Sequence, residues 1–312
     1  MLQDLRAFFA ARGVLEVETP LLSAAATTDP ALASLSTHWS GSQQPSAQRL
    51  YLHTSPELPM KRLLAAGSGP IYQVCKVFRD GERGRRHHPE FSLLEWYRPG
   101  WELNALIDEV AELLRLLLDQ PGLGLDVIGY QALFQTHLGI DPLAADLATL
   151  QASAKAAGRN GCTGLSSCED LELDRDGWLD LLMSQCLEPR LGRAGLTVVR
   201  DYPPSQAALA RLRPGSPSVA ERFELYLDGM ELANGFDELT DAAEQRARFN
   251  ANLSARRAAG QPEPPLDEAF LAALAAGMPA SAGVALGLDR LLMCALGADR
   301  IDAVLAFPVE RA

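Results

Sequence analysis

The sequence has few cysteines and no long apolar run. Its 5 cysteines stand at irregular spacing without a CxxC pair, which fits reduced thiols better than a disulfide framework or a zinc site. No apolar stretch reaches the roughly 20 residues that a membrane span requires. The first residues also lack the basic and apolar pattern of a secretory signal. We therefore expect a cytoplasmic protein that is not embedded in a membrane.

Positive charge is also scarce in this sequence. Lysine and arginine total 28 residues against 40 aspartates and glutamates, which gives a formal net charge of −12. Nucleic-acid affinity depends largely on basic side chains that displace counterions, so this balance argues against tRNA as a partner. Apolar residues make up 47% of the chain and charged residues 22%, proportions that are typical of a folded globular protein.

Alternating helix and strand patterns predict an α+β fold. Two apolar strands joined by a charged loop are predicted within residues 71–98. A second strand pair within 223–233 is joined by Asp228-Gly229, a strong hairpin signal. We therefore expect one domain over residues 1–312, with an antiparallel sheet and a helical insertion at about 120–215.

Three separated segments combine charged residues and glycine with strand or helix patterns. They read FFAARGVLEVETP at 8–20, FRDGERGRRHHPEF at 78–91 and GVALGLDRL at 283–291. In this order they resemble motifs 1, 2 and 3 of the class II aminoacyl-tRNA synthetases. The resemblance implies the catalytic domain of that class, an antiparallel sheet flanked by helices that joins an amino acid to ATP as an adenylate.

Two arginines in these segments are the predicted catalytic residues. Adenylate formation builds negative charge on phosphate oxygens, and fixed guanidinium groups suit that charge. By the resemblance, Arg79 would bind the α-phosphate and the amino-acid carboxylate, and Arg290 would bind the γ-phosphate. A surface salt bridge is the alternative for either side chain. The predicted ATP contacts are Arg79, Gly81, Glu82, His88, Phe91, Glu231, Leu232, Gly287 and Arg290.

Glu224 and Glu231 fall on the two strands of the predicted hairpin. Neighbouring carboxylates repel each other unless a cation lies between them. The resemblance implies that this cation is Mg²⁺, which prefers oxygen ligands and would bridge the ATP phosphates. A solvated strand face is the alternative.

The motif 2 loop departs from the usual pattern of the family at two positions. Gly81 stands where a carboxylate is expected, a role that Glu82 could take. His88 replaces the asparagine that usually precedes Pro-Glu-Phe. His87 and His88 could reach ATP, or they could be a pair of solvated loop histidines.

Further segments look like those of lysyl-tRNA synthetase, namely SPELPMKRL at 55–63, PEFSLLEWY at 89–97 and ELANGFDEL at 231–239. Buried carboxylates are costly unless a cation compensates them, and a diamine substrate would do so. By the resemblance, Glu238 and Tyr97 would bind the side-chain ammonium, Glu57 and Glu95 the other amino group, Asn234 the carboxylate and Phe236 the aliphatic stem. The predicted substrate contacts are Ser55, Pro56, Glu57, Glu95, Tyr97, Asn234, Phe236, Glu238 and Ala285.

The motif 1 pattern begins within the first residues, so we expect no anticodon-binding domain. The chain resembles the stand-alone paralogues of lysyl-tRNA synthetase that modify elongation factor P. Ala285 stands where tRNA-charging members usually have glycine, which fits a β-amino substrate. The resemblance implies that (R)-β-lysine, or lysine, is activated with ATP and transferred to the ε-amine of a lysine on elongation factor P.

Two other functions stay open at this point. The chain could release lysyl-adenylate or charge tRNA(Lys), or it could be a non-catalytic amino-acid sensor. In either case motif 1 builds a two-fold interface in this family, so we expect a homodimer formed through residues 1–25.

Overall fold

The computed structural model describes residues 1–41, 48–165, 168 and 171–312. The chain forms two compact units, one of residues 1–102 and 238–312 and one of residues 103–237. The sequence also predicts a loop with a short strand over residues 24–47, and part of that segment lies outside the described residues. The prediction that the whole chain is one domain stays a prediction.

Runs of strands and runs of helices follow one another along the chain. The strands are β1 (Leu15–Glu16), β2 (Leu22–Ser23), β3 (Ser36–Trp39), β4 (Gln48–Leu52), β5 (Ile71–Phe78), β6 (Glu90–Pro99), β7 (Leu125–Gly129), β8 (Leu196–Tyr202), β9 (Leu212–Arg213), β10 (Val219–Leu227), β11 (Met230–Asp237) and β12 (Ser281–Gly287). The α-helices are α1 (Leu2–Ala10), α2 (Glu57–Ala65), α3 (Leu103–Leu117), α4 (Tyr130–Leu138), α5 (Leu147–Arg159), α6 (Arg175–Leu182), α7 (Ala242–Ala258), α8 (Glu268–Gly277) and α9 (Leu288–Leu296).

In the first unit, β6 pairs antiparallel with both β5 and β12, and β1 pairs parallel with β5. Residues two apart along a strand face the same side of a sheet. Tyr72 and Trp96 are cross-strand neighbours, and the ring of Phe9 from α1 stacks on Tyr72 with centroids 4.4 Å apart. Helix α1 therefore covers this face, and the alternate residues of β6, including Glu95 and Tyr97, point to the opposite face.

In the second unit, the strands are neighbours in the order β11, β10, β8 and β7, with β9 beside β10. The β10–β11 and β8–β10 pairs are antiparallel, whereas β7 and β8 are parallel. Helices α4, α5 and α6 supply Tyr130, Leu150 and Trp178 to a buried core that also contains Val199 and Tyr226 of the sheet. The segment predicted as a helical insertion at 120–215 thus contains these helices, but also β7, β8 and β9.

The predicted fold class is confirmed as α+β with a mostly antiparallel sheet, whose parallel pairs lie at β1–β5 and β7–β8. In the described part of the chain, no helix combines the length and apolar character needed to cross a membrane.

Candidate active site

A buried glutamate on the sheet face opposite α1 lacks a partner for one oxygen. Glu95 is 2% exposed and lies between its cross-strand neighbours Gln73 and Ala285. Its Oε1 accepts a hydrogen bond from the hydroxyl of Tyr97 at 2.6 Å, whereas its Oε2 is buried without a hydrogen-bond partner. An unsatisfied buried carboxylate oxygen is costly, so this atom marks a place for a ligand that donates hydrogen bonds.

The surroundings of Glu95 favour its neutral form. Burial raises the pKa of Glu95 to about 8, and the charge of Glu57 acts in the same direction. Burial and then the charge of Glu95 raise the pKa of Tyr97 well above its usual range. At neutral pH the carboxyl group of Glu95 therefore carries a proton, which it would lose to a cationic ligand.

Two more glutamates meet around a buried lysine. The Lys61 Nζ atom lies 2.6 Å from Oε1 of Glu57 and 2.5 Å from Oε2 of Glu238. Burial alone would lower the pKa of Lys61, but the charges of Glu238 and Glu57 raise it above its ordinary value. The lysine is therefore a permanent cation, and it fixes the positions of both carboxylates.

A glycine allows Glu238 and Tyr97 to approach the backbone of β12 closely. A Cβ atom at Gly283 would lie 2.4 Å from Oε1 of Glu238 and 2.4 Å from Cδ1 of Tyr97, so only glycine fits there.

At the start of α2, the N–H of Glu57 donates to Oγ of Ser55 at 3.2 Å, and Pro56 is buried beside it. Ser55 and Pro56 thus position Glu57.

Arg79, the predicted ligand of the α-phosphate, directly follows β5. Its Nε donates to the Thr54 carbonyl at 3.4 Å, and its Nη1 lies 3.6 Å from Oε1 of Glu82. The guanidinium of Arg79 also lies over the ring of Phe91, with Cζ 5.0 Å from the centroid, at the distance of a cation–π contact. Phe91 and Glu82 therefore orient Arg79.

A histidine adjoins Arg290 and is also influenced by the charge of Arg79. The Nη2 atom of Arg290 lies 2.8 Å from Nε2 of His87, and its Nε donates to the Arg86 carbonyl at 3.3 Å. Burial and then the charge of Arg290 lower the pKa of His87, and the charge of Arg79 acts in the same direction. Both arginines thus act on one imidazole, which stays neutral at neutral pH and accepts from Arg290.

His88, which the sequence predicts as an ATP contact, is buried and bonded on both ring nitrogens. Its Nε2 accepts from the N–H of Val309 at 2.9 Å, so Nδ1 carries the proton and donates to the Glu90 carbonyl at 2.5 Å. This geometry gives His88 a role in fixing the loop. His87 is the histidine that adjoins the arginines.

The two glycines predicted at the ATP site differ in conformation. Gly81 has φ +76°, which glycine adopts readily, and this explains why no carboxylate stands at that position. A Cβ atom at Gly287 would meet nothing closer than the Arg290 side chain, at 3.8 Å. The space that a side chain at Gly287 would occupy is therefore open.

In the second unit, the predicted hairpin forms with a tight turn. Asp228 and Gly229 have φ values of 51° and 70°, as in a type I′ turn. The register shifts by a bulge after Leu225, so that Glu224 pairs with Asn234 and Glu231 pairs with Tyr226. The two glutamates lie on paired strands, as expected, but they are not direct cross-strand neighbours.

Glu224 is held by three donors. Its Oε2 accepts from the Tyr202 hydroxyl at 2.6 Å and from the Tyr226 hydroxyl, and its Oε1 accepts from Nη2 of Arg222 at 2.5 Å. Burial would lower the pKa of Arg222, but the charge of Glu224 raises it. Since a carboxylate has about four acceptor positions, these donors leave one for a further ligand.

The other predicted residues of this unit lie on β11. Nε of Arg222 donates to Oδ1 of Asn234 at 3.3 Å, which links Asn234 to Glu224 through one guanidinium. Phe236 packs against the core of the helices, and Leu232 is buried. A cavity of about 360 Å³ adjoins this network. It is lined by Tyr130, Asp180, Glu188, Tyr202, Arg222 and Glu224, among others.

The donors present fit a magnesium ion that is bound together with ATP. Among the described residues, no cluster of three or more His, Cys, Asp or Glu side chains could hold a metal ion alone. Mg²⁺ usually takes one or two protein carboxylates and completes its shell with phosphates and water. Glu224, which keeps an acceptor position, fits that pattern, and Glu231 is the second carboxylate that the sequence predicts for it.

Sequence reasoning missed several residues that shape these sites. Lys61 and Gly283 lie inside the quoted motifs, but their contacts depend on β12 and on the segment after β11, which are distant in sequence. Tyr202 and Arg222 were missed for the same reason. An arginine two residues before Glu224 on the same strand was a usable signal, because residues two apart share a face.

The fold and this arrangement define a class II synthetase domain, and the chain belongs to that family. A family model described as tRNA synthetases class II (D, K and N) matches residues 1–311. Similar proteins named elongation factor P–(R)-beta-lysine ligase occur in several bacteria. The one from Enterobacter sp. (strain 638) is 49% identical over 312 residues, which cover 100% of this chain and 94% of that protein.

The ligases of the same name from Edwardsiella ictaluri and Klebsiella pneumoniae are similarly related. The first is 50% identical over 312 residues and the second 49% over 313 residues, each covering 100% of this chain and 94% of the relative. The resemblance predicted from the motifs is therefore confirmed over the whole chain.

Proposed function

We propose that this chain is an ATP-dependent ligase that activates (R)-β-lysine as its adenylate and transfers it to the ε-amine of a lysine on elongation factor P. The observation that carries the proposal is one compact unit with two parts, an arginine pair around His87 and a buried acidic pocket. The first part suits a polyphosphate and the second a diamine. The names of the relatives supply the acceptor.

The phosphate-binding part consists of positive charge fixed before the substrate arrives. Arg79 binds the α-phosphate, since Phe91 and Glu82 orient it. Arg290 binds the γ-phosphate, and Nε2 of His87 accepts a hydrogen bond from its Nη2 atom. Preorganised cations of this kind stabilise charge that develops on phosphate oxygens without rearrangement. We assign His87 rather than His88 to the ATP site, because both ring nitrogens of His88 are already bonded.

The remaining ATP contacts follow from the motifs. Gly81 shapes the motif 2 turn, Gly287 leaves room for the nucleotide, and Glu231 and Leu232 line the nucleotide from β11. Mg²⁺ bound through Glu224 and Glu231 would neutralise phosphate charge. Tyr202, Tyr226 and Arg222 orient Glu224 for that role.

The acidic pocket binds the substrate through its two ammonium groups. Glu238 and Tyr97 take the side-chain ammonium, and Glu57 and Glu95 take the β-ammonium. The resemblance implies that Asn234 would orient the carboxylate and that Phe236 would line the aliphatic stem. Ala285 shapes the floor beside Glu95. The carboxylate then attacks the α-phosphorus, and pyrophosphate leaves.

Transfer needs no nucleophilic side chain of the enzyme. The neutral ε-amine of the acceptor lysine attacks the carbonyl carbon of the adenylate and a C–N bond forms. AMP leaves with the electrons of the broken C–O bond, and the amine nitrogen releases one proton to water. Positioning and charge stabilisation account for the rate.

The direct test incubates the purified chain with ATP, (R)-β-lysine and elongation factor P, and measures the mass of elongation factor P. We expect the mass of one β-lysyl group to be added, and we expect Arg79→Ala to abolish both this addition and β-lysine-dependent pyrophosphate exchange. Robust exchange in Arg79→Ala would contradict the proposal. Parallel reactions with α-lysine and tRNA(Lys) would reveal a tRNA-charging enzyme instead.

A further inference from the structure

The acidic pocket contains a cation of its own. The side chain of Lys61 is 0% exposed, and its Nζ lies between one oxygen of Glu57 and one of Glu238. A buried ammonium is costly to desolvate unless it is paired. Lys61 stands one helical turn after Glu57 on α2, whereas Glu238 follows β11 and is held by its N–H, which donates to the Ser281 carbonyl at 2.9 Å.

We propose that Lys61 is a positioning residue for substrate recognition, a built-in counter-ion that holds Glu57 and Glu238 in place so that the pocket admits a dication. This inference rests on the proposed function. With all three carboxylates of the pocket ionised, Lys61 neutralises one charge, and the two ammonium groups of a diamino acid neutralise the other two. A monoamine leaves one buried charge without compensation.

The geometry leaves an acceptor position for an ammonium group of the substrate. Lys61 contacts Oε1 of Glu57 and Oε2 of Glu238. Oε1 of Glu238 packs against Gly283, where a Cβ atom would lie 2.4 Å away. Oε2 of Glu95 is buried without a hydrogen-bond partner. Lys61 therefore fixes two carboxylates near a third, whose unsatisfied oxygen can accept from a cationic ligand.

The charges within the pocket influence one another, so the role of Lys61 can be measured from the pH dependence of the KM for β-lysine. The ionisable groups that act on this cluster are Glu57, Lys61, Glu95, Tyr97 and Glu238, with Cys75 beside Glu95. In the empty pocket Glu95 carries a proton up to about pH 8. Binding of a dication removes that proton, so the KM for β-lysine should fall as the pH rises towards 8 and then level off.

Burial raises the pKa of Glu95 and the charge of Lys61 lowers it, so without that charge Glu95 would keep its proton to a higher pH. That proton must leave before a dication binds. For Lys61→Gln we therefore expect a KM about tenfold or more above the wild-type value at neutral pH, with a fall that levels off at higher pH, because one pKa unit corresponds to about a tenfold effect. Lys61→Arg keeps the charge and should keep the wild-type pH profile.

The experiment measures β-lysine-dependent pyrophosphate exchange at a series of pH values for wild type, Lys61→Gln and Lys61→Arg, with circular dichroism to confirm folding. A glutamine profile shifted to higher pH, together with a wild-type profile for arginine, supports the proposal. A KM that is unchanged, or raised by the same factor at every pH, overturns it, since a purely structural defect does not depend on pH. Absence of exchange in the wild type would instead refute the proposed function.

Discussion

A carboxyl group buried next to other carboxylates makes Glu95 a pH-sensitive residue. Its pKa is about 8 in the folded chain against an ordinary value of 4.5. Between these values the folded chain keeps a proton that the unfolded chain has lost. The contribution to stability is therefore complete below about pH 4.5 and is lost as the pH rises through about 8.

Glu95→Gln removes this titration while it keeps the shape of the side chain. We expect the free energy of unfolding of wild type to fall relative to that of Glu95→Gln as the pH rises from about 5 to about 8. Urea unfolding at several pH values measures this difference. A difference that stays constant over the range would show that Glu95 is already ionised in the empty pocket.

Gly283 offers a second test at the residue scale. The methyl group of Gly283→Ala would lie 2.4 Å from Glu238 and Tyr97, and overpacking of this kind costs about 1–3 kcal/mol. We expect this loss of stability and a raised KM for β-lysine. Gly287→Ala is the matched control for stability, because its methyl group meets nothing closer than 3.8 Å. Equal unfolding midpoints for the two variants would contradict the expectation.

At the scale of elements, the sequence predicts strands and helices well where the pattern is local. The predicted strands within 71–98 correspond to β5 and β6, and the predicted hairpin corresponds to β10 and β11. These elements are specified by neighbouring residues, namely alternating apolar side chains and the Asp228-Gly229 turn. The sequence also predicts a strand over residues 14–20 that ends at a proline. The observed strand is only β1, Leu15–Glu16, because these are the residues that pair with β5.

The contacts of the candidate sites were less predictable because they join distant segments. Lys61 forms an ion pair with Glu238, which lies 177 positions later in the sequence. His87 and His88 are equivalent in sequence pattern, yet the N–H of Val309 bonds one of them and Arg290 the other. A motif shows which residue types are present, but tertiary pairing decides which of them face a ligand.

The turn of the β10–β11 hairpin contains a glycine at a position that leaves no room for a side chain. Gly229 has φ +70°, and a Cβ atom there would lie 2.9 Å from Nη2 of Arg193 and 3.2 Å from the Glu188 carbonyl. Gly229→Ala should therefore destabilise the β10–β11 hairpin by about 1 kcal/mol or more. Gly122→Ala, whose methyl group meets nothing within 4 Å, should be nearly neutral. Denaturant unfolding of both variants checks this, and equal stability would show that the turn adapts without strain.

At the scale of the whole molecule, the acidic composition and the proposed acceptor are consistent. A net charge of −12 disfavours polyanion binding, because few counterions are released. A protein acceptor does not require a continuous basic surface. The same charge keeps copies of the chain apart at long range, so any self-association must come from apolar surface.

Such surface is present in the segment predicted to form a dimer. Within residues 1–25, Leu2, Leu15, Leu21 and Leu22 are exposed, Leu15 by 57%. We therefore expect a homodimer in which these leucines are buried against the partner, as the motif 1 resemblance implies. Light scattering of the purified chain should give twice the monomer mass of 33.7 kDa. Leu15→Asp should shift the mass towards the monomer, whereas Leu296→Asp, an exposed leucine outside this segment, should not. A wild-type monomer at micromolar concentration, or equal effects of the two substitutions, would contradict an interface formed by residues 1–25.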